Sequence, residues 1–174
     1  NFIRLCLRAV SFKRRQRGKM LKIDMLKFLR SGEFAGVESG LSCAQIASMF
    51  GPADASFKSA GAEILRYGAF EFHFFRDEIF MIFSDHFRSE PLNFGGARAQ
   101  QIEIEPWILS GCPVPIDLAA AKDALDRERI EYRERVTDEG LELSLSSGVT
   151  LAFESFSGLG EPRSYELAAF WMKF

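Results

Sequence analysis

The side chains able to do acid–base or metal chemistry are few. Histidine occurs only at His73 and His86, on what reads as two arms of one hairpin. A zinc site would need two further donors, and the nearest in sequence are Asp85 and Glu71. The alternation instead predicts a strand histidine and a loop histidine with ordinary hydrogen bonds, and no metal is expected. Ser84-Asp85-His86 is contiguous, so neighbouring side chains diverge on a strand instead of converging as a hydrolytic triad, and no Gly-x-Ser-x-Gly turn occurs. Cys43 opens a helical stretch whose dipole would favour a thiolate, yet its apolar neighbours predict a packed thiol. "SGLGEP", at 157–162, lacks the lysine and the following helix that a phosphate cradle uses. Glu103 and Glu105 alternate with Ile102 and Ile104, the pattern of a strand with one wet face, not of an acid and base held in opposed environments. No catalytic residue and no cofactor is expected.

Composition predicts a folded, soluble protein. Of the 174 residues, 47% are hydrophobic and 26% charged, far from the signature of disorder. With 22 Lys plus Arg against 24 Asp plus Glu the net charge is -2, which gives no electrostatic footprint for nucleic acid or an anionic membrane. Neither is expected as a partner. Cys6, Cys43 and Cys112 are an odd set without metal spacing, so a reducing cytoplasm is the expected location. "NFIRLCLRAV" is broken by Arg4 and Arg8 and followed by "KRRQRGK", unlike an export signal. Residues 1–19 are expected to be a basic tail or extension outside the packed fold, and no apolar run reaches transmembrane length.

The elements that must position these residues follow from periodicity. Residues 20–31 place Leu21, Met25, Phe28 and Leu29 at helical spacing before Gly32, predicting an amphipathic N-terminal helix. Ser42 caps a second helix with Ile46, Met49 and Phe50 on one stripe, ended by Gly51-Pro52. Strands are predicted at 63–67, 70–75, 79–84 and 101–108. The second half repeats the order, with a helix over 117–128 carrying Leu118, Ala121 and Leu125, then strands at 130–136, 141–146, 149–155 and 165–172. From Phe70 to Leu141 is 71 positions and from Ile79 to Val149 is 70. Trp107 and Trp171 would end the two copies. The fold class expected is α+β: a tandem duplication of a helix followed by a four-stranded antiparallel sheet, plus the N-terminal helix. The modules are expected at 20–110 and 111–174.

Gly40, Ser42, Ile46, Phe50, Gly51 and Pro52, with the Tyr67-Gly68 turn and the following "FEFHFF" and "IFMIFS", resemble the helix-plus-sheet modules of β-lactamase inhibitor proteins and of SmpA/BamE-like lipoproteins. The resemblance covers the first half, and the second half follows by element order. It implies a non-catalytic protein binder, the inhibitor group gripping its target across tandem sheets. The chain departs from both groups in lacking an export signal, a lipoprotein cysteine motif and paired cysteines.

The hairpin at 69–83, "AFEFHFFRDEIFMIF", holds six phenylalanines in fifteen residues. With Asp77-Glu78 as its tip, one face carries Phe70, Phe72, Phe74, Met81 and Phe83, and the other carries Glu71, His73, Phe75, Phe80, Ile82 and Ser84. The second hairpin has one apolar face, but the first has apolar groups on both. Its mixed face has three candidate covers: the second module, the helix at 20–31, or a partner. Glu71, His73, Phe75, Phe80, Ile82 and His86 are therefore the expected partner-binding residues. The expected function is a small bacterial inhibitor, immunity-like or adaptor protein acting through this surface and the loop at 88–99. The alternatives are a ligand, metal or enzyme cleft between the modules, lined by His73, His86, Asp85 and Tyr132, and a structural homodimer.

Overall fold

Three short polar side chains start the three helices. Asp24 accepts a hydrogen bond from the Lys27 amide at 3.0 Å and begins α1, Met25–Ser31. Ser42 accepts from the Gln45 amide while the Gln45 side chain accepts from the Ser42 amide, a reciprocal capping box at the start of α2, Cys43–Phe50. Asp117 accepts from the Ala120 amide at 2.7 Å and begins α3, Leu118–Arg127. These elements belong to a computed structural model that describes residues 20–85, 92–96, 98–109, 115–156 and 164–174. The expected tail at 1–19, His86, Cys112 and the loop at 157–162 lie outside the described residues.

The strands are β1 Leu21–Asp24, β2 Ala55–Ser59, β3 Ala62–Tyr67, β4 Phe70–Phe75, β5 Glu78–Ser84, β6 Ile102–Glu105, β7 Tyr132–Val136, β8 Gly140–Leu145, β9 Val149–Phe156 and β10 Ser164–Lys173. Eight of them form one sheet in the order β2-β3-β4-β5-β10-β9-β8-β7, with every neighbour antiparallel. Each run of four follows its own helix, α2 before β2–β5 and α3 before β7–β10. The runs join edge to edge where β5 meets β10, with Trp171 opposite Phe83. The protein is thus α+β, with no helix long and apolar enough to cross a membrane among the described residues.

The strand plan differs from the sequence expectation in three places. Residues 21–24 are strand, not helix: β1 pairs in parallel with β6, Ile23 opposite Ile104, and the Asp24 cap delays the helix to Met25. The alternation of Ile102 and Ile104 is that of a strand, but it belongs to this separate two-stranded sheet. The fourth strand of the first run is instead Ala55–Ser59, so position in the sheet matches β4 with β9 and β5 with β10, one strand later than the spacing from Phe70 to Leu141 implies.

One face of the large sheet carries the core. Phe70, Phe72, Phe74, Leu65 and Tyr67 from the first run, and Leu141, Leu143, Leu151, Phe153 and Phe170 from the second, are buried with the apolar stripes of all three helices. Phe28 of α1 packs on Phe170 at 5.7 Å between ring centroids, and Phe50 of α2 stacks on Phe72 at 5.4 Å. Phe94, between β5 and β6, fills the same layer by stacking on Tyr67. The described part of the loop expected to meet a partner is therefore anchored by Phe94 on the core side of the sheet.

Candidate binding face

The face opposite the helices is built by the alternate residues of the same strands. Register defines its rows. Phe57, Ile64, His73, Met81 and Lys173 run across β2, β3, β4, β5 and β10 in one row. The next holds Ala55, Arg66, Glu71, Phe83, Trp171, Thr150, Ser144 and Arg133. Phe57 is 58% exposed, Phe75 50% and Phe80 39%, while Ile64, Met81, Phe83 and Trp171 are half-buried among their neighbours. A shallow groove of about 250 Å³ continues the field past Phe83 and Trp171 toward Ala152, Glu142 and Glu154.

A bulge decides which side chains reach this face. Phe74 lies opposite Ile79, but His73 lies opposite Met81, so Phe80 is an extra residue in β5. The turn is Arg76-Asp77, both at positive φ (52° and 66°), one residue earlier than the expected tip. Asp77 fixes it by accepting from the Cys43 amide at the start of α2 at 3.1 Å. Beyond the bulge the phase inverts. Ile79, before the bulge, and Ile82 and Ser84, after it, all face the core at 2%, 0% and 0% exposure, while Met81 and Phe83 turn outward. Ile82 is therefore a core residue and leaves the expected partner-binding set.

Glu71, His73, Phe75 and Phe80 do share the open face. His73 Nε2 and Glu71 Oε2 are 3.0 Å apart, both side chains largely covered, with the imidazole edge-on to Phe80 and Phe83 at 6.2 and 5.9 Å. The Arg76 guanidinium lies over the Phe75 ring, 5.2 Å from its centroid. Neither intramolecular cover applies. The helix starting at Met25 packs on the other face, and the second run of strands extends the sheet sideways instead of stacking on it.

Residues that sequence reasoning missed are Phe57, Ile64, Arg66, Met81, Phe83 and Trp171. The Ala60-Gly61 pair, at φ 46° and 84°, makes the tight turn that pairs "ASFKS" with "AEILRY". That Gly was the available signal for β2.

Of the residues named for a cleft between the modules, His86 lies outside the described residues. His73 is on β4, whereas Tyr132 is on the edge strand β7, five strands away, and pairs in register with core-facing Leu145. Among the described residues no group of three or more His, Cys, Asp and Glu side chains is placed to hold a metal. The Cys43 thiol is pushed up to about 12, first by burial and then by the charge of Glu63, so it stays a protonated packing group.

No family model, no curated protein and no solved structure matches this chain.

Proposed function

We propose that this chain is a non-catalytic protein-binding module of the inhibitor, immunity-like or adaptor kind, acting through the bare face of its eight-stranded sheet. The observation that carries the reading is the aromatic field on that face, with Phe57, Phe75 and Phe80 open to solvent around a half-buried centre of Ile64, Met81, Phe83 and Trp171. Covering a phenylalanine fully is worth about 1.5 to 3 kcal/mol, so three that are 39% to 58% exposed leave several kcal/mol to a partner. At about 4.8 Å between strands and about 3.3 Å per residue, the eight strands give a face of roughly 800 Å² in plan, about the area per partner of a stable interface.

The repeated order of one helix and four strands supports a tandem duplication as its origin, with the join at β5 and β10 giving a face twice the width of one module. Sheet-borne binding of this form is what the resemblance to inhibitor modules implies, and it is proposed for this chain on the geometry of the open face.

The test is affinity capture from the cells of origin with the full chain and with Phe75→Ser/Phe80→Ser. A protein held by the first and lost with the second supports the reading. Capture that the double substitution leaves unchanged, or no capture at all, contradicts it, and a second copy of the chain as the sole captured species would make it a structural homodimer.

A further inference from the structure

The charges around the aromatic field define what kind of segment it fits. Of the carboxylates on this face, Glu71 is engaged with His73, Glu142 with Arg135, and both Asp85 and Glu154 with partners of their own. Arg66 and Lys173 are not. Arg66, in the row between Ala55 and Glu71, is half-buried, and its Nε is sealed from solvent with no hydrogen-bond acceptor among the described residues. Its natural neighbour, Glu71, is turned to His73 instead. Lys173, at the other side of the field beside Met81, is exposed and makes no ion pair among the described residues. Arg66 and Lys173 stand three strands apart, about 14 Å at the usual spacing, with His73, Met81 and Phe83 between them. At the hairpin tip Glu78 and Arg76 are both exposed, the Arg76 guanidinium lying over the Phe75 ring. The Arg66 guanidinium makes no hydrogen bond or ion pair among the described residues, and its open end, unlike the sealed Nε, is where a carboxylate could pair with the charge.

We propose that the open face receives a protein segment carrying a carboxylate among apolar side chains, the carboxylate docking on Arg66 and the apolar groups on Phe75, Phe80 and Phe83. This rests on the open face being the binding surface and names the chemistry of what it binds. Aromatic rings with cations are also a platform for single-stranded nucleic acid. Here phosphates would meet Glu71, Glu78, Glu142 and Glu154 on a chain of net charge -2, so a protein segment fits better.

The experiment is selection of short random peptides displayed on phage against the full chain, with fluorescein-labelled oligothymidine as the second probe. Selected peptides are expected to be enriched in Asp or Glu flanked by aromatic and aliphatic residues. Their affinity should fall at least about tenfold in Arg66→Met, the size of one charge-assisted pair, and vanish in Phe75→Ser/Phe80→Ser. Because Arg66 has no acceptor to lose, Arg66→Met should keep or raise the melting temperature, an outcome that a structural role for the arginine would reverse. Peptides without acidic enrichment, or acidic peptides indifferent to Arg66→Met, overturn the carboxylate assignment. If these are still lost in Phe75→Ser/Phe80→Ser, the open face remains the binding surface. Peptides indifferent to every substitution, or no enrichment, overturn both. Oligothymidine binding that Phe75→Ser/Phe80→Ser abolishes replaces the proposal with nucleic-acid recognition.

Discussion

The ring of Phe80 stands edge-on to that of His73, with 6.2 Å between centroids, and Phe80 is the extra residue of a bulge. That single insertion inverts the phase of β5. With a regular register Ile82 would face outward beside His73, and Met81 and Phe83 would be core. Instead Ile82 is fully buried, while Phe80, Met81 and Phe83 gather on the open side around the His73–Glu71 pair.

The inverted phase predicts opposite results for near neighbours. Ile82→Ala should lower stability by about 2 to 4 kcal/mol, the usual loss for emptying a packed core site. Phe80→Ser should change it by about 0.5 kcal/mol or less, as an exposed position does. Urea unfolding of the two variants checks this, and equal effects would mean that the bulge is not where the register places it.

Gly68 adopts φ 59° in the turn between β3 and β4, and a Cβ there would lie 2.6 Å from the Gly95 amide nitrogen and 2.8 Å from the Asn93 carbonyl oxygen. The same turn is tied down by Asp54, which accepts from the Gly68 amide at 2.7 Å, and by the Ala69 amide donating to the Asn93 carbonyl. Gly68→Ala therefore combines backbone strain with a backbone clash and should cost about 2 kcal/mol or more. Loss of protection at residues 92–96 in hydrogen exchange would accompany it, since Phe94 is the plug that this contact seats.

Stability should fall at alkaline pH. Burial raises Cys43 from 9.0 to about 12 and Tyr67 from 10.0 to about 12. Each group ionises later in the folded chain than in the unfolded one. Its contribution is therefore complete below the unfolded value and disappears as pH climbs toward 12. The Tyr67 hydroxyl also donates to the Gly51 carbonyl at 2.8 Å. Tyr67→Phe should thus lower stability by about 1 kcal/mol at neutral pH, through the lost hydrogen bond, yet flatten the alkaline decline. Melting temperatures from pH 8 to 11 separate the two effects, and an unchanged slope in Tyr67→Phe would contradict the assignment.

Ser84 sits at the β5–β10 seam opposite Phe170, fully buried, with an Oγ that has no hydrogen-bond partner among the described residues. Removing an unsatisfied hydroxyl at little change in volume should stabilise the protein, so Ser84→Ala is expected to gain about 0.5 to 1 kcal/mol. A loss in chemical denaturation would show that the hydroxyl has an acceptor in solution.

Helix caps and turn glycines were legible in the sequence because their signals are local. Ser42 and Gly51 bracket α2, Asp117 starts α3, and β8 alternates cleanly because it has one wet face. What escaped was set by partners distant in the chain. Leu21, Met25 and Phe28 fit a helix equally well until Asp24 caps it, and only pairing with Ile102–Glu105 makes Leu21–Asp24 a strand. "ASFKS" has the polarity of a loop because an edge strand over a mostly bare face has little to bury. The bulge was invisible because Phe80, Met81, Ile82 and Phe83 are all apolar, so their sequence carries no phase. Of the candidate site, Glu71, His73, Phe75 and Phe80 were legible from alternation on β4 and the hairpin. Arg66 and Trp171 needed the sheet order that sets them in one row.

The most direct test of a protein-binding open face is site-specific photo-crosslinking in the cells of origin, with benzoylphenylalanine placed at Phe80 or, as a control on the far edge of the sheet, at the 74% exposed Val136. The account predicts a discrete adduct with another polypeptide from position 80, absent from position 136 and suppressed by Phe75→Ser. An adduct from position 136 alone, or none from either, would contradict it.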